Sequence, residues 1–188
     1  MTNAGRHSSF DRAAHLVRLA LVTLHACHIV SGPAGAGKSV HARRLAAELG
    51  ACLIDSDVAT ERLVRAGLAL AGMDPDDRDS PAYKSVYRDA VYEAMYDLAV
   101  ANLPQVPVVL AGPFTREGGE ADWPERLERR LGVMPVMHFV WCPPEQRRQR
   151  MIARGEERDR PKLLDWEGYV AQCREERPVW EHVFVGNG

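Results

Sequence analysis

The sequence predicts an α/β domain whose mainly parallel sheet is covered by helices on both faces. Three observations carry this. Short apolar runs alternate along the chain with segments of helical period. The runs are apolar throughout rather than at every second residue, as strands buried on both faces require. The first run also ends in a glycine-rich turn that leads straight into an amphipathic helix.

The elements follow in order. Residues 1–9 are polar and expected to fray, and 10–22 carry apolar residues at helical spacing. Run 26–31 is the first strand. In the helix over 38–49, Ala42, Leu45, Ala46 and Leu49 share one face, and Gly50 is its natural stop. A strand over 51–55 and a helix over about 58–71 come next, then an acidic loop holding Asp74, Asp76, Asp77 and Asp79. Ser80-Pro81 reads as an N-cap with proline in the first turn. The helix beyond shows a stripe of Tyr83, Val86, Tyr87, Ala90, Val91, Ala94, Met95 and Leu98, read as core packing rather than a ligand box. Strands over 106–111, 136–141 and 182–185 and helices over 124–131, 144–153 and 166–176 complete the chain.

Composition excludes several classes. A chain of 188 residues with 46% hydrophobic and 27% charged residues is expected to form a single soluble domain, needing neither disulfide nor metal to fold. A formal charge of −2 argues against nucleic acid or an anionic membrane as main partner. Cys27, Cys52, Cys142 and Cys173 form no CxxC or Cys/His cluster, so reduced cysteines and a cytoplasmic location are expected. Segment 16–27 imitates a signal sequence, but Arg18 and His25 interrupt it. No uncharged apolar run is long enough for a membrane span.

The strongest motif is Gly32-Pro33-Ala34-Gly35-Ala36-Gly37-Lys38-Ser39, a full GxxxxGK[ST]. Glycines let the backbone turn its N–H groups inward onto phosphate oxygens. Lys38 then reaches the β- and γ-phosphates, and Ser39 offers a hydroxyl to Mg²⁺. Asp55 and Asp57 stand at the end of the second strand, where open parallel sheets bind ligands. Spaced i, i+2 on an extended segment, they would point the same way. One could support magnesium while the other approaches an acceptor hydroxyl, and Asp57 could also cap the following helix. Arg147, Arg150 and Arg154 share a helical face, and Arg158, Arg160 and Lys162 follow. Together they suggest a lid that closes arginines over transferring phosphates, or else a solvated surface.

Four segments, GPAGAGKS at 32–39, IDSD at 54–57, VVLAGPFTRE at 108–117 and RMIARGEERDRPKL at 150–163, carry a resemblance from about Cys27 to Val185. The chain resembles small P-loop kinases of the shikimate, gluconate and nucleoside monophosphate kinase group. It looks closest to bacterial AAA-type ATP-binding proteins similar to zeta-toxin-like kinases. The resemblance implies the P-loop nucleoside triphosphate hydrolase fold, with a five-stranded parallel sheet of order 2-3-1-4-5. It implies a single domain over 1–188, with an N-terminal extension at 1–25 and a lid at about 154–164. It also implies ATP, Mg²⁺ and transfer of the γ-phosphoryl to a small molecule.

Residue by residue, Gly32 to Ser39 and Val40 would bind the nucleotide, and Ser39 and Asp55 the metal. Asp57 would face the acceptor, Arg154 would stack near adenine, and Arg158 or Arg160 would neutralise phosphoryl charge. Two positions depart from the relatives. Ala111 ends the third strand where many have an acid, which leaves magnesium to Ser39 and Asp55. Position 60 is Thr60 where polynucleotide-kinase-like members have arginine. The expected activity is that of a small-molecule kinase, with catalytic residues Lys38, Asp57, Arg158 and Arg160. Its alternatives are an ATP-binding switch or assembly factor without transfer, and a nucleic-acid 5′-hydroxyl kinase. The acidic loop favours a neutral or amine-bearing acceptor such as a sugar, nucleoside or antibiotic, or else is simply a solvated loop.

Overall fold

The computed structural model describes residues 26–173 and 177–188. The expected helix over 10–22, the extension 1–25 and the end of the last helix at 174–176 lie outside the described residues. Five strands, β1 (Cys27–Ser31), β2 (Cys52–Asp55), β3 (Val108–Ala111), β4 (Val136–Trp141) and β5 (Val183–Gly186), form one parallel sheet in the order β2-β3-β1-β4-β5. This is the order the resemblance implies. The helices between them are α1 (Lys38–Leu49), α2 (Ser56–Leu70), α3 (Pro81–Asn102), α4 (Trp123–Leu131), α5 (Pro144–Arg154), α6 (Arg160–Leu164) and α7 (Trp166–Gln172).

The inner strands β1 and β3 are covered on both faces, which explains their lack of alternation, whereas edge strand β5 is largely exposed. On one face Ile29, Ile54, Leu110 and Met137 pack with Val64 and Leu68 of α2, Met95 and Ala99 of α3, and Leu127 of α4. On the other, Val30, Val109, Ala111 and Val140 meet Ala42 and Ala46 of α1. On that second face three histidines stand in a row. His28 Nδ1 lies 3.0 Å from His138 Nε2, and His138 Nδ1 lies 3.4 Å from His41 Nε2.

Three expectations shift. Helix α2 begins at Ser56, two residues early, because the extended Asp55 accepts a hydrogen bond from the Asp57 N–H at 3.0 Å. The cap is therefore Asp55, not Asp57. Strand β3 starts at Val108, because Val106 still bonds back to Asn102 and Pro107 has no N–H to give. The buried stripe of α3 is also rotated. Val91, Tyr92, Met95, Tyr96 and Ala99 are inside, whereas Val86 and Leu98 face solvent. The N-terminal half of α3 overhangs the cavity described below, so only its later turns meet the sheet. Ser80 caps the helix as expected, accepting from the Tyr83 N–H at 3.0 Å.

Candidate functional site

The glycine-rich loop joins β1 to α1 above the carboxyl edge of the sheet. A Cβ at Gly32, where φ is +142°, would strike the Val140 carbonyl, so β4 can approach only a glycine. The Gly32 N–H donates to the Pro113 carbonyl at 3.3 Å, tying the loop to the turn after β3. That turn contains Phe114, a buried non-glycine residue at φ 45°, whose N–H donates to the Tyr92 hydroxyl at 3.2 Å. Lys38 folds its ammonium back onto the Pro33 carbonyl at 2.8 Å. Burial lowers its pKa to about 8, against the upward pull of Asp57 and Asp55.

A cavity of about 870 Å³ opens beside the loop. Ala34, Gly35, Gly37, Lys38, Ser39 and Val40 line it, while Gly32, Pro33 and Ala36 are buried behind it. Asp55, Asp57 and Ala111 also reach it. Asp55 is buried and pairs in register with Ala111, so β3 brings a methyl group where an acid would stand. Asp57 does not lie on an extended segment beside Asp55. It sits in the first turn of α2, half-exposed, and forms an ion pair with Arg158 at 2.9 Å.

The arginines expected to form one lid divide into four roles. Arg147 is fully buried, with its guanidinium 5.9 Å from the Trp166 ring centre. Arg150 turns back to the phosphate loop and bonds the Ala36 and Asn187 carbonyls. Arg154 lines the cavity and holds Asp159 through Nη2 at 2.7 Å. Arg158 faces the cavity, whereas Arg160 is 74% exposed, lies 4.0 Å from Glu157 and does not line it. Segment 155–165 forms a turn of 3₁₀-helix and α6, and Lys162 fastens it to Asp79 at 2.6 Å.

Sequence reasoning missed Glu61. One turn beyond Asp57 on α2, it accepts from Arg78 at 2.9 Å and from Arg158 at 3.5 Å. The i, i+4 spacing from Asp57 was the available signal. The acidic loop is also less open than it reads. Asp74 accepts from the Asp76 N–H, Asp76 pairs with Arg65, Asp77 receives the Ser80 N–H and hydroxyl, and Asp79 holds Lys162. Asp79 alone of these four lines the cavity.

The 2-3-1-4-5 sheet, with its glycine-rich turn after the first strand and Lys38 at the head of the next helix, defines a P-loop domain of the kinase-like class. A family model described as an AAA domain matches residues 27–174, and the chain belongs to that family. Solved structures share the fold. A presumed kinase from Chloroflexus aurantiacus superposes with a TM-score of 0.60 at 15% identity, over 86% of this chain and 84% of that one. A sugar kinase from Janibacter gives 0.50 at 15% identity over 86% and 84%. A gluconokinase from Sinorhizobium meliloti gives 0.51 at 16% over 87% and 82%. No curated protein matches the sequence. No described helix is long and apolar enough to cross a membrane.

Proposed function

We propose that the protein is an ATP-dependent phosphotransferase that moves the γ-phosphoryl of ATP to a hydroxyl of a small molecule. The observation that carries the reading is convergence. Lys38, the Asp55–Asp57 pair and Arg158, from three separate segments, line one cavity beside the glycine-rich loop. A pure nucleotide switch has no need of a carboxylate and an arginine facing each other across the acceptor side.

The roles follow from chemistry. The N–H groups of Gly35, Gly37, Lys38 and Ser39 bind phosphate oxygens, and Lys38 neutralises the β- and γ-phosphates. Ser39 and Asp55 bring the hard oxygen donors that magnesium takes, and the ion would screen phosphate charge there. Asp57 accepts the acceptor's hydroxyl proton as its oxygen bonds to the γ-phosphorus and the bridge to ADP breaks. Arg158 offsets charge on the equatorial oxygens, and the segment around it excludes water. Arg154 lies on the nucleotide side. Arg160 is the outer of the two lid arginines and contributes least.

The committed aspartates of 74–79 remove the argument for an amine-bearing acceptor and leave sugars, nucleosides and antibiotic-like alcohols. The test is acceptor-dependent ADP release across a metabolite and antibiotic panel, with Lys38→Ala as control. ADP release that no acceptor stimulates, with intact ATP binding, would favour the switch.

A further inference from the structure

The feature that the phosphoryl-transfer scheme leaves unused is the contact between the phosphate loop and the residue after β5. Asn187 continues the β4–β5 ladder by one rung, its N–H donating to the Trp141 carbonyl at 2.9 Å. Its side-chain amide then crosses to the loop and donates to the Ala36 carbonyl at 2.8 Å. Arg150 of α5 closes the arrangement, bonding the Asn187 carbonyl at 2.8 Å and reaching the Ala36 carbonyl at 3.4 Å. A single loop carbonyl thus receives donors from two elements far away in the chain.

Peptide geometry makes that carbonyl informative. In a planar trans peptide the C=O and the following N–H point in opposite directions. Fixing the Ala36 oxygen toward Asn187 therefore turns the Gly37 N–H the other way. Ala36 is buried behind the loop, while Gly37 lines the cavity. The Ala36 N–H is already given to the Pro33 carbonyl at 3.3 Å, so it is not the group on offer. Gly37 also has φ +96°, and a Cβ there would collide with the Asn187 amide. Glycine at 37 and asparagine at 187 are fitted to each other.

We infer that Asn187 is a positioning residue for the phosphate loop. With Arg150 as second tether, it holds the Ala36–Gly37 peptide so that the Gly37 N–H faces a phosphate oxygen. The inference rests on the phosphate-binding reading of the loop, and it concerns a residue that does not itself line the cavity. The ligand it serves is the polyphosphate, not the base.

The experiment uses the full chain and two probes, MgATP and inorganic tripolyphosphate with magnesium, titrated by calorimetry. Asn187→Leu keeps the size of the side chain and removes the donor. Affinity for both probes should fall by a similar factor, about tenfold, as for loss of a buried hydrogen bond that orients a second one. The unfolding midpoint should move by less than about 2 °C, since a destabilised fold would shift it by more. Asn187→Gln, which retains an amide donor, should recover part of the loss, and Arg150→Gln should weaken both probes in the same direction. These two variants carry the comparison if the leucine variant fails to fold.

Unchanged binding of both probes would overturn the inference. So would a loss confined to MgATP, which would move Asn187 to the base. If the unaltered chain binds neither probe, the phosphate-loop reading itself falls, and the inference with it.

Discussion

The two walls of the cavity are built by different means. The phosphate-loop wall is a run of contiguous residues whose chemistry is mostly main chain: glycine dihedrals, inward N–H groups and a lysine bonded five residues back, to Pro33. The opposite wall is made of side-chain charges drawn together from distant segments. Glu61 holds Arg78 from 17 residues away and Arg158 from 97. The first wall depends on covalent neighbours, the second on the finished fold. Damage to the first should therefore abolish binding, while damage to the second should grade the rate.

The largest test of that contrast is Lys38→Ala. Removing the point charge should lower acceptor phosphorylation by several orders of magnitude while circular dichroism stays unchanged. Because burial sets the Lys38 pKa near 8, nucleotide affinity should also fall as pH rises through that value, as the amine loses its charge. Affinity that holds steady from pH 7 to 10 would take Lys38 out of phosphate binding.

On the other wall, Asp57→Asn should reduce transfer by about 10²–10⁴-fold, the usual contribution of a general base, with ATP affinity retained. The helix cap is not disturbed, since Asp55 supplies it. Full product formation measured by mass spectrometry would leave Asp57 only its ion pair with Arg158. Asp55→Asn should instead raise the magnesium requirement, and because asparagine caps helices as well as aspartate, the melting temperature should hardly move.

The arginines give a smaller and sharper comparison. Arg158→Ala should lower kcat by about tenfold or more with little change in ATP affinity, because charge spreads over the equatorial oxygens only during transfer. Arg160→Ala should change neither by more than about twofold, as expected of an exposed side chain. Equal effects of the two would mean that the lid closes differently around substrate.

The smallest effect lies beneath the site. Burial, followed by His28 and His41, pushes the His138 pKa down from 6.5 to about 4. Between those values the unfolded chain binds more protons than the folded one, so stability is full above about pH 6.5 and is lost as pH falls toward 4. His138→Asn should flatten that part of the pH–melting curve, whereas an unchanged slope would put the acid sensitivity elsewhere.

The contrast between the walls also explains what the sequence could reveal. The loop is legible because its chemistry is written in consecutive residues, and the sheet order follows from a resemblance carried by four segments, of which 32–39 is the strongest. Helix α2 starts two residues before the expected position because the strand's own last residue, Asp55, caps it rather than Asp57. The buried stripe of α3 departs from expectation for a different reason. Helical period shows that a face is apolar but not where along its length the helix leaves the sheet, and Val86 overhangs while Tyr96 does not. The division of Arg147, Arg150, Arg154 and Arg158 could not be read at all. Three side chains on one helical face were sorted by partners elsewhere in the chain, Trp166, Asn187 and Asp159, and Arg158, beyond the helix, by Asp57.

The row of histidines has a direction. Each neutral imidazole carries one proton, so two successive N···N bonds must donate the same way along the row. Among the described residues, His41 Nδ1 is buried without a partner. An unmet N–H there would cost more than an unmet lone pair, so the His41 proton belongs on Nε2, facing His138. His138 then donates from Nε2 to His28, and the last N–H emerges at half-buried His28, where water can take it. The three rings form a polarised wire running from the phosphate-loop helix to the outer end of β1, and reversing it requires every ring to exchange tautomers together.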